Sequence, residues 1–305
     1  MSQIDYSKSA AEMQELYLEK YSDLAARVEK KNKTASRFKE ILTSKQYKYL
    51  EECGTFIGLS SDEVIIQANF CKNRICPVCN KRNSVKKWHY IKSIAEELNK
   101  EIEPKWLFLT LTVKNVTADE LNSSITKLMK SINRLFSRKT WNKRVLGFFR
   151  SLEITYNKEK NTFHPHYHIL IAVPSDYFTN KELYLETWQW RQMWEKSADL
   201  DYNAQVDIRE VKAEKDQELA GAIAEVAKYA VKTAEIAKTS SQALKCVLKA
   251  IKGRRLISYG GIIHERYKEI QEADEQYKTV VQAEKEQSKI KYYQFEKGKY
   301  KSINC

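Results

Sequence analysis

The sequence predicts an α+β protein with an antiparallel sheet of about five strands and helices that cover one face of it. Two strand-forming segments, residues 147–156 and 163–173, are separated only by a polar turn, and strands joined in this way pair antiparallel. Beyond residue 100, segments rich in β-branched and aromatic residues alternate with segments of helical periodicity. The residues before 100 are predicted to form a helical region that carries a cysteine cluster.

Length and charge narrow the class of protein. A chain of 305 residues suggests two domains, or one large domain with an extension. Its 53 Lys and Arg against 40 Asp and Glu give a net charge of +13. Such an excess favours an anionic polymer as partner, with nucleic acid first. The N-terminus lacks the pattern of a secretory signal, and no apolar segment approaches the roughly 20 residues that span a membrane, so we expect a cytoplasmic protein. The sequence contains no glycine-rich phosphate-binding loop, so it gives no support for an NTP-driven motor.

The N-terminal region, residues 1–99, is predicted to be mostly helical. Apolar positions recur at helical spacing over residues 1–50, which contain no Gly or Pro. Two short alternating segments, 55–57 and 63–68, precede the cysteines, and a basic helix is predicted over 83–99. This helix is expected to end before Pro104, which places a domain boundary near residue 100.

The second domain, residues 100–265, is predicted to alternate strands and helices. The strands are 106–113, 147–156, 163–173 and 204–211, with a further basic strand at 254–261; the helices are 118–137, 181–196 and 216–238. Residues 266–305 are charged and predicted to form a helical tail.

Three of the five histidines lie at alternate positions of one predicted strand. Side chains alternate between the faces of a strand, so His164, His166 and His168 project from the same side. Neutral imidazole is the commonest metal ligand in proteins, and a pair of histidines two residues apart on a strand is placed to chelate an ion. The sequence therefore predicts a metal site on this face.

A third ligand is predicted on the preceding strand. If the turn is 158–161, Asn157 pairs with Thr162 and Glu153 lies opposite His166 on the same face; a shift of two residues places it opposite His164 instead. A mixed nitrogen and oxygen ligand set suits Mg²⁺ or Mn²⁺ acting as a Lewis acid on phosphate. The predicted metal is therefore catalytic.

A helix near residue 225 carries a candidate nucleophile. Glu225 and Tyr229 are four residues apart and share a helix face with Lys232. A tyrosine hydroxyl attacks phosphorus when a cation lies near it and the phosphate is held in line. Lys228 and Lys232, with His164, are candidate contacts to DNA phosphates.

Three segments in this order resemble the replication initiators of rolling-circle plasmids in the HUH endonuclease superfamily, in the class with a single catalytic tyrosine. The resemblance covers about residues 50–265, with motifs at 108–112, 164–170 and 225–232. It implies an antiparallel sheet with the histidines on a central strand, as in ferredoxin-like and RRM-like folds.

The same resemblance implies residue roles. His166 and His168 are the metal-binding pair, Tyr229 nicks DNA, and Glu225 activates water at termination. The role of His164 stays open between metal binding, phosphate contact and ordering of the turn. Members of this superfamily class also carry a cysteine-rich segment before the first motif, which Cys71, Cys76 and Cys79 resemble.

The cysteines predict a structural zinc site. Cys76 and Cys79 have the spacing that lets both sulfurs reach one tetrahedral zinc, and Cys71 supplies a third thiolate. The fourth ligand is either Cys53 or His89. Cys53 is favoured because Gly54 follows it and because strands within 54–70 bring the two ends of the cluster together.

The predicted activity is metal-dependent, strand-specific nicking and strand transfer at a double-strand origin, through a covalent 5′-phosphotyrosine. The expected partners are origin DNA, a host helicase and a host DNA polymerase. The rivals are a mobilisation relaxase or transposase with the same chemistry, a zinc-stabilised DNA-binding regulator without catalysis, and an RNA-binding protein.

Overall fold

A computed structural model describes residues 21–60, 65–212, 216–228, 239–285 and 290–303. The chain divides into two compact units: Tyr90–Lys268 forms one, and Met1–His89 with Glu269–Cys305 forms the other. The sequence places the boundary near residue 100, whereas the first unit boundary in the structure falls inside a long helix. Among the described residues, no helix is long and apolar enough to cross a bilayer.

The elements are numbered in chain order. They are α1 (Tyr21–Ala35), α2 (Ser44–Glu52), β1 (Phe56–Leu59), β2 (Ile65–Ala68), α3 (Pro77–Glu101), β3 (Lys105–Thr112), α4 (Leu121–Phe136), α5 (Lys139–Asn142), β4 (Gly147–Asn157), β5 (Thr162–Val173), α6 (Thr187–Ala198), β6 (Val206–Val211), α7 (Asp216–Ala227), α8 (Ser241–Ile251), β7 (Ile257–Gly261), α9 (Ile262–Lys285), β8 (Lys291–Glu296) and β9 (Lys299–Ile303).

The 90–268 unit is built on a five-stranded antiparallel sheet in the order β6-β3-β5-β4-β7. The predicted fold class is confirmed. The central strand β5 is the most deeply buried, since residues 169–173 are wholly inaccessible to solvent. β7 joins the edge of β4 at Gly260 and Gly261, where a Cβ on Gly261 would lie 2.0 Å from the Leu146 carbonyl oxygen. Only glycine permits this close approach, and glycine also adopts the positive φ of residue 261 without strain.

The β4–β5 hairpin has the predicted register. Asn157 pairs with Thr162, and Glu153 therefore lies opposite His166. The turn residue Asn161 has a positive φ of 49°, which asparagine tolerates better than most residues. Because the side chains alternate from this fixed start, the histidine face and the Tyr167 face of β5 are both determined by the turn.

Helices cover both faces of this sheet, so the prediction of one covered face is wrong. On the Tyr167 face, Phe136 of α4 packs against Phe148 of β4 with ring centroids 4.1 Å apart. On the histidine face, Glu225 of α7 approaches His168. The interior of β5 is apolar on both sides, which explains its continuous apolar run after the histidines.

The predicted helix 181–196 begins later than expected, at Thr187. Glu186 and Gln189 form a capping box, in which each side chain accepts from the backbone N–H of the other, and this fixes the start of α6. The predicted helix 216–238 is present as α7 up to Ala227, and residues 229–238 lie outside the described part of the chain.

The other unit contains a four-stranded antiparallel sheet in the order β2-β1-β8-β9. The prediction of a helical tail for residues 266–305 is therefore wrong at its end, where β8 and β9 form a hairpin and β8 pairs with β1. Lys297 and Gly298 both have positive φ, which is the backbone of a tight two-residue hairpin turn. The Tyr, Phe and Ile residues around this Lys-Gly pair favour strands, a local signal that the prediction missed.

Candidate active site

Three side chains from the β4–β5 hairpin converge on one point. Nε2 of His166 lies 3.2 Å from Nε2 of His168, which lies 3.2 Å from Oε2 of Glu153. The third edge, from His166 Nε2 to Glu153 Oε2, is 3.6 Å. Ligand atoms about 2.0–2.2 Å from a shared ion are separated by about 3.0–3.5 Å, so these donors fit one divalent metal.

Hydrogen bonds to the opposite ring nitrogens orient both imidazoles. Nδ1 of His166 is 3.0 Å from the backbone oxygen of His164, to which it donates. Nδ1 of His168 is 3.2 Å from Oγ1 of Thr110, which lies directly opposite on β3. In the tautomer that donates from Nδ1, the Nε2 lone pair of each histidine would face a metal ion, which is the arrangement that outer contacts of metal-ligating histidines usually give.

The electrostatics of the group favour an ionised Glu153. Burial raises the pKa of this carboxyl, but hydrogen bonds from His166 and His168 and their charges outweigh burial and hold the pKa well below its usual range. Glu153 and His166 are both more than nine-tenths buried. An ionised carboxylate beside two imidazoles in a dry setting is a ready cation site.

Glu225 extends this site from α7. Its Oε1 lies 3.7 Å from Nε2 of His168, and its Oε2 accepts a bond from Lys228 one turn away. The carboxylate is thus next to the predicted metal and partly open to solvent. Tyr229 and Lys232, the predicted nucleophile and its companion, lie outside the described residues.

His164 is outside the group of three converging ligands. Its Nδ1 is 2.9 Å from Oδ1 of Asn115, and its ring stacks on that of His166 with centroids 5.0 Å apart. Burial and the neighbouring His166 charge lower the pKa of His164. Of the three roles left open by the sequence, this geometry favours an ordering role or a phosphate contact over metal binding.

The four predicted cysteines also come together, in the other unit. Sγ of Cys53 lies 3.5 Å from Sγ of Cys76 and 3.6 Å from Sγ of Cys79, and Sγ of Cys71 lies 3.7 Å from Sγ of Cys79. A zinc with four thiolates at about 2.3 Å separates its sulfurs by about 3.8 Å, so the donor set fits zinc. Cys53 is the fourth member, and His89 is not in this group.

Comparison with known proteins places this chain in a protein family. A family model described as "Replication protein" (Rep_1) matches residues 62–301. The chain belongs to this Rep family.

Several curated relatives of the Rep family chain carry the name "Protein rep". One from Streptococcus pneumoniae serotype 2 is 43% identical over 210 residues, which are 68% of this chain and 65% of that protein. One from Bacillus amyloliquefaciens is 36% identical over 276 residues, 83% of this chain and 81% of the relative. A Staphylococcus aureus relative is 32% identical over 233 residues, 74% of this chain and 98% of its own length. No solved structure gives a significant match.

Two residues at this Rep site received no role from the sequence. Thr110 belongs to the motif 108–112, but only the β3–β5 register reveals its contact to His168. Asn115 lies in the loop after β3, and no spacing rule connects it to His164. The alternation of side chains along β3 indicates Thr110, because a residue directly opposite a histidine on the same face of the sheet can hydrogen-bond to its ring.

Proposed function

We propose that this Rep family chain is an HUH-type enzyme that nicks one strand of a double-strand origin, transfers it, and so initiates rolling-circle plasmid replication. The observation that carries the proposal is the convergence of His166, His168 and Glu153 on one point, with the Glu225 carboxylate 3.7 Å from His168. This cluster of metal-binding side chains, on a basic protein of net charge +13, suits a phosphodiester substrate.

The protein groups in this mechanism have separate tasks. When bound by His166, His168 and Glu153, Mg²⁺ or Mn²⁺ supplies Lewis-acid polarisation of the scissile phosphate. Oη of Tyr229 attacks phosphorus, an Oη–P bond forms, and the P–O3′ bond breaks. The tyrosine proton is lost to a base or solvent, and the leaving oxygen becomes a free 3′-hydroxyl for a polymerase. His164 and the lysines Lys228 and Lys232 would contact the flanking phosphates.

Termination in this proposal uses Glu225 in place of a second tyrosine. Its carboxylate accepts a proton from water, the resulting hydroxide attacks phosphorus, and the Tyr229 linkage or the closing junction is hydrolysed. The cysteine cluster holds a structural Zn²⁺ that cross-links its unit. A host helicase and a host polymerase complete the replication reaction.

The test uses single-stranded oligonucleotides that tile the replicon carrying this gene. The protein is incubated with each in Mg²⁺ or Mn²⁺, and covalent protein–DNA adducts are resolved on denaturing gels. We expect an adduct with one region of one strand, lost in Tyr229→Phe and retained in the control Tyr156→Phe, whose hydroxyl contacts Asn161 in the hairpin turn. DNA binding without any adduct would instead identify a non-catalytic regulator.

A further inference from the structure

Lys31 of α1 is a wholly buried lysine beside the cysteine cluster. Its side chain has 0% exposure, and its ammonium donates to the backbone oxygens of Glu51 and Cys53, the latter at 3.1 Å. Lysine is almost never fully buried without a compensating partner, because removal of its charge from water is costly. Two carbonyl oxygens satisfy part of its hydrogen bonding but carry no net charge.

The cysteine cluster supplies most of the negative charge near Lys31, and the Glu51 carboxylate adds a smaller part. Four thiolates around one Zn²⁺ carry a net charge of −2, and three of these cysteines are buried with Lys31 in the same unit. A buried anion of this size needs a nearby cation or many donors. Lys31 bonds directly to the backbone of Cys53, one of the four proposed ligands.

The same stretch of backbone is tightly enclosed. Tyr300 of β9 donates its hydroxyl to the Gly54 carbonyl, and a Cβ on Gly54 would lie 3.0 Å from Cγ2 of Val28. Val28 and Lys31 are one helical turn apart on α1. One face of α1 therefore packs against the turn that follows Cys53 and places the ammonium beneath it.

We propose that Lys31 is a positioning residue and the internal counter-ion of a four-cysteine zinc site. Its charge offsets one of the two net negative charges of the zinc tetrathiolate, and its hydrogen bonds fix the carbonyl groups on either side of Cys53. This inference rests on the proposed structural zinc and is independent of the nicking reaction. The proposal requires that Lys31 contributes less to zinc affinity when the ligand set carries one negative charge less.

The experiment measures zinc affinity in the full-length chain by competition with a chromophoric chelator. Lys31→Met is compared with Lys33→Met, a matched control on the same helix whose ammonium is exposed and pairs with Glu29. Each substitution is also placed in a Cys71→His background, which converts the site to three thiolates and one neutral imidazole. Cys71 is chosen because it is the least buried of the four cysteines.

We expect Lys31→Met to weaken zinc binding by about 10–100-fold in the four-cysteine chain, the usual cost of losing an outer contact. In the Cys71→His background the same substitution should cause a clearly smaller loss of zinc affinity than in the four-cysteine chain, and Lys33→Met should have no effect in either background. Retention of zinc by Lys31→Met at wild-type affinity would overturn the proposal.

The remaining outcomes are also decisive. If Lys31→Met fails to fold but Lys31→Met with Cys71→His folds and binds zinc, charge balance is the role of Lys31. If neither Lys31→Met nor the double variant folds, or if both lose zinc equally, Lys31 only hydrogen-bonds the two carbonyl groups. The counter-ion role is then wrong. Absence of zinc from the folded wild type would end the zinc proposal itself, while the adduct assay would still report on nicking.

Discussion

Glu225 Oε1 lies 3.7 Å from Nε2 of His168, although the two residues come from different elements, α7 and β5. In the proposed mechanism, a carboxylate at this distance from a metal-binding histidine would reach the same phosphate that the metal would bind. It is also only partly buried, so water has access to it. This pairing is the strongest structural reason to give Glu225 a chemical task rather than a role in helix stability.

Glu225→Ala should still nick DNA and form the tyrosyl adduct, yet fail to release the closing product by hydrolysis. A positioned general base contributes about 10²–10⁴-fold, so the hydrolytic step should slow by that order. The measurement is the ratio of hydrolysed ends to covalent adduct on a termination substrate. Glu218→Ala on the same helix is the control, since its carboxylate accepts from the Lys212 backbone instead.

A purely structural Glu225 predicts a different result. Loss of its pair with Lys228 would cost only about 0.2–0.5 kcal/mol of helix stability. The ratio of products would then match that of the wild type, and Glu225 would have no place in the mechanism.

The double substitution of His166 and His168 by Ala should abolish metal-dependent cleavage while the fold is retained. These two rings supply two of the three converging ligand atoms, and Glu153 alone is a weak site. Binding of Mn²⁺, followed by paramagnetic resonance, provides a readout independent of cleavage. His164→Ala is the matched control and should bind Mn²⁺ normally; a large loss of affinity there would make His164 a ligand.

Thr110→Val should weaken metal binding without removing a ligand. The substitution keeps the shape of the side chain but deletes the hydroxyl that lies 3.2 Å from Nδ1 of His168. Loss of such an outer contact typically costs about 10–100-fold in metal affinity. Mn²⁺ titration of Thr110→Val and Thr110→Ser tests this, because serine retains the hydroxyl and should restore binding. Equal affinity of the valine variant and the wild type would refute the orienting role.

Lys87 should make the free energy of unfolding change with pH in the alkaline range. Burial, reinforced by the Arg74 charge, lowers its pKa from an ordinary value of 10.5 to about 8. Between about pH 8 and pH 10.5 the unfolded chain therefore binds a proton that the folded chain does not, and the free energy of unfolding should rise with pH across this window.

Lys87→Met removes this half-buried charge. It should raise the free energy of unfolding at pH 7 by up to about 3 kcal/mol and flatten the rise above pH 8. Urea unfolding of wild type, Lys87→Met and the control Lys81→Met at pH 7 and pH 9.5 checks both effects. A variant with the same alkaline slope as the wild type would show that Lys87 is not the group responsible.

Local patterns predicted the parts of the site that depend on near neighbours in the chain. The turn at 158–161 sets the hairpin register, and strict alternation then brings Glu153 onto the face of His166 and His168. Cys76 and Cys79 are likewise close in sequence, so their spacing alone indicates a shared ion. The helical tail was predicted wrongly because charge density outweighed a short turn signal at Lys297 and Gly298.

By itself, the sequence determined the fold class, the histidine face of β5 and the candidate metal ligands within one hairpin, since alternation and turn length act over a few residues. The tertiary structure alone decided which distant groups join them: Thr110 and Glu225 at His168, Cys53 rather than His89 at the cysteines, and Lys31 beneath Cys53. Those contacts depend on how strands pair and how helices pack across long loops. Many arrangements share one local pattern, and only packing of the whole core selects among them.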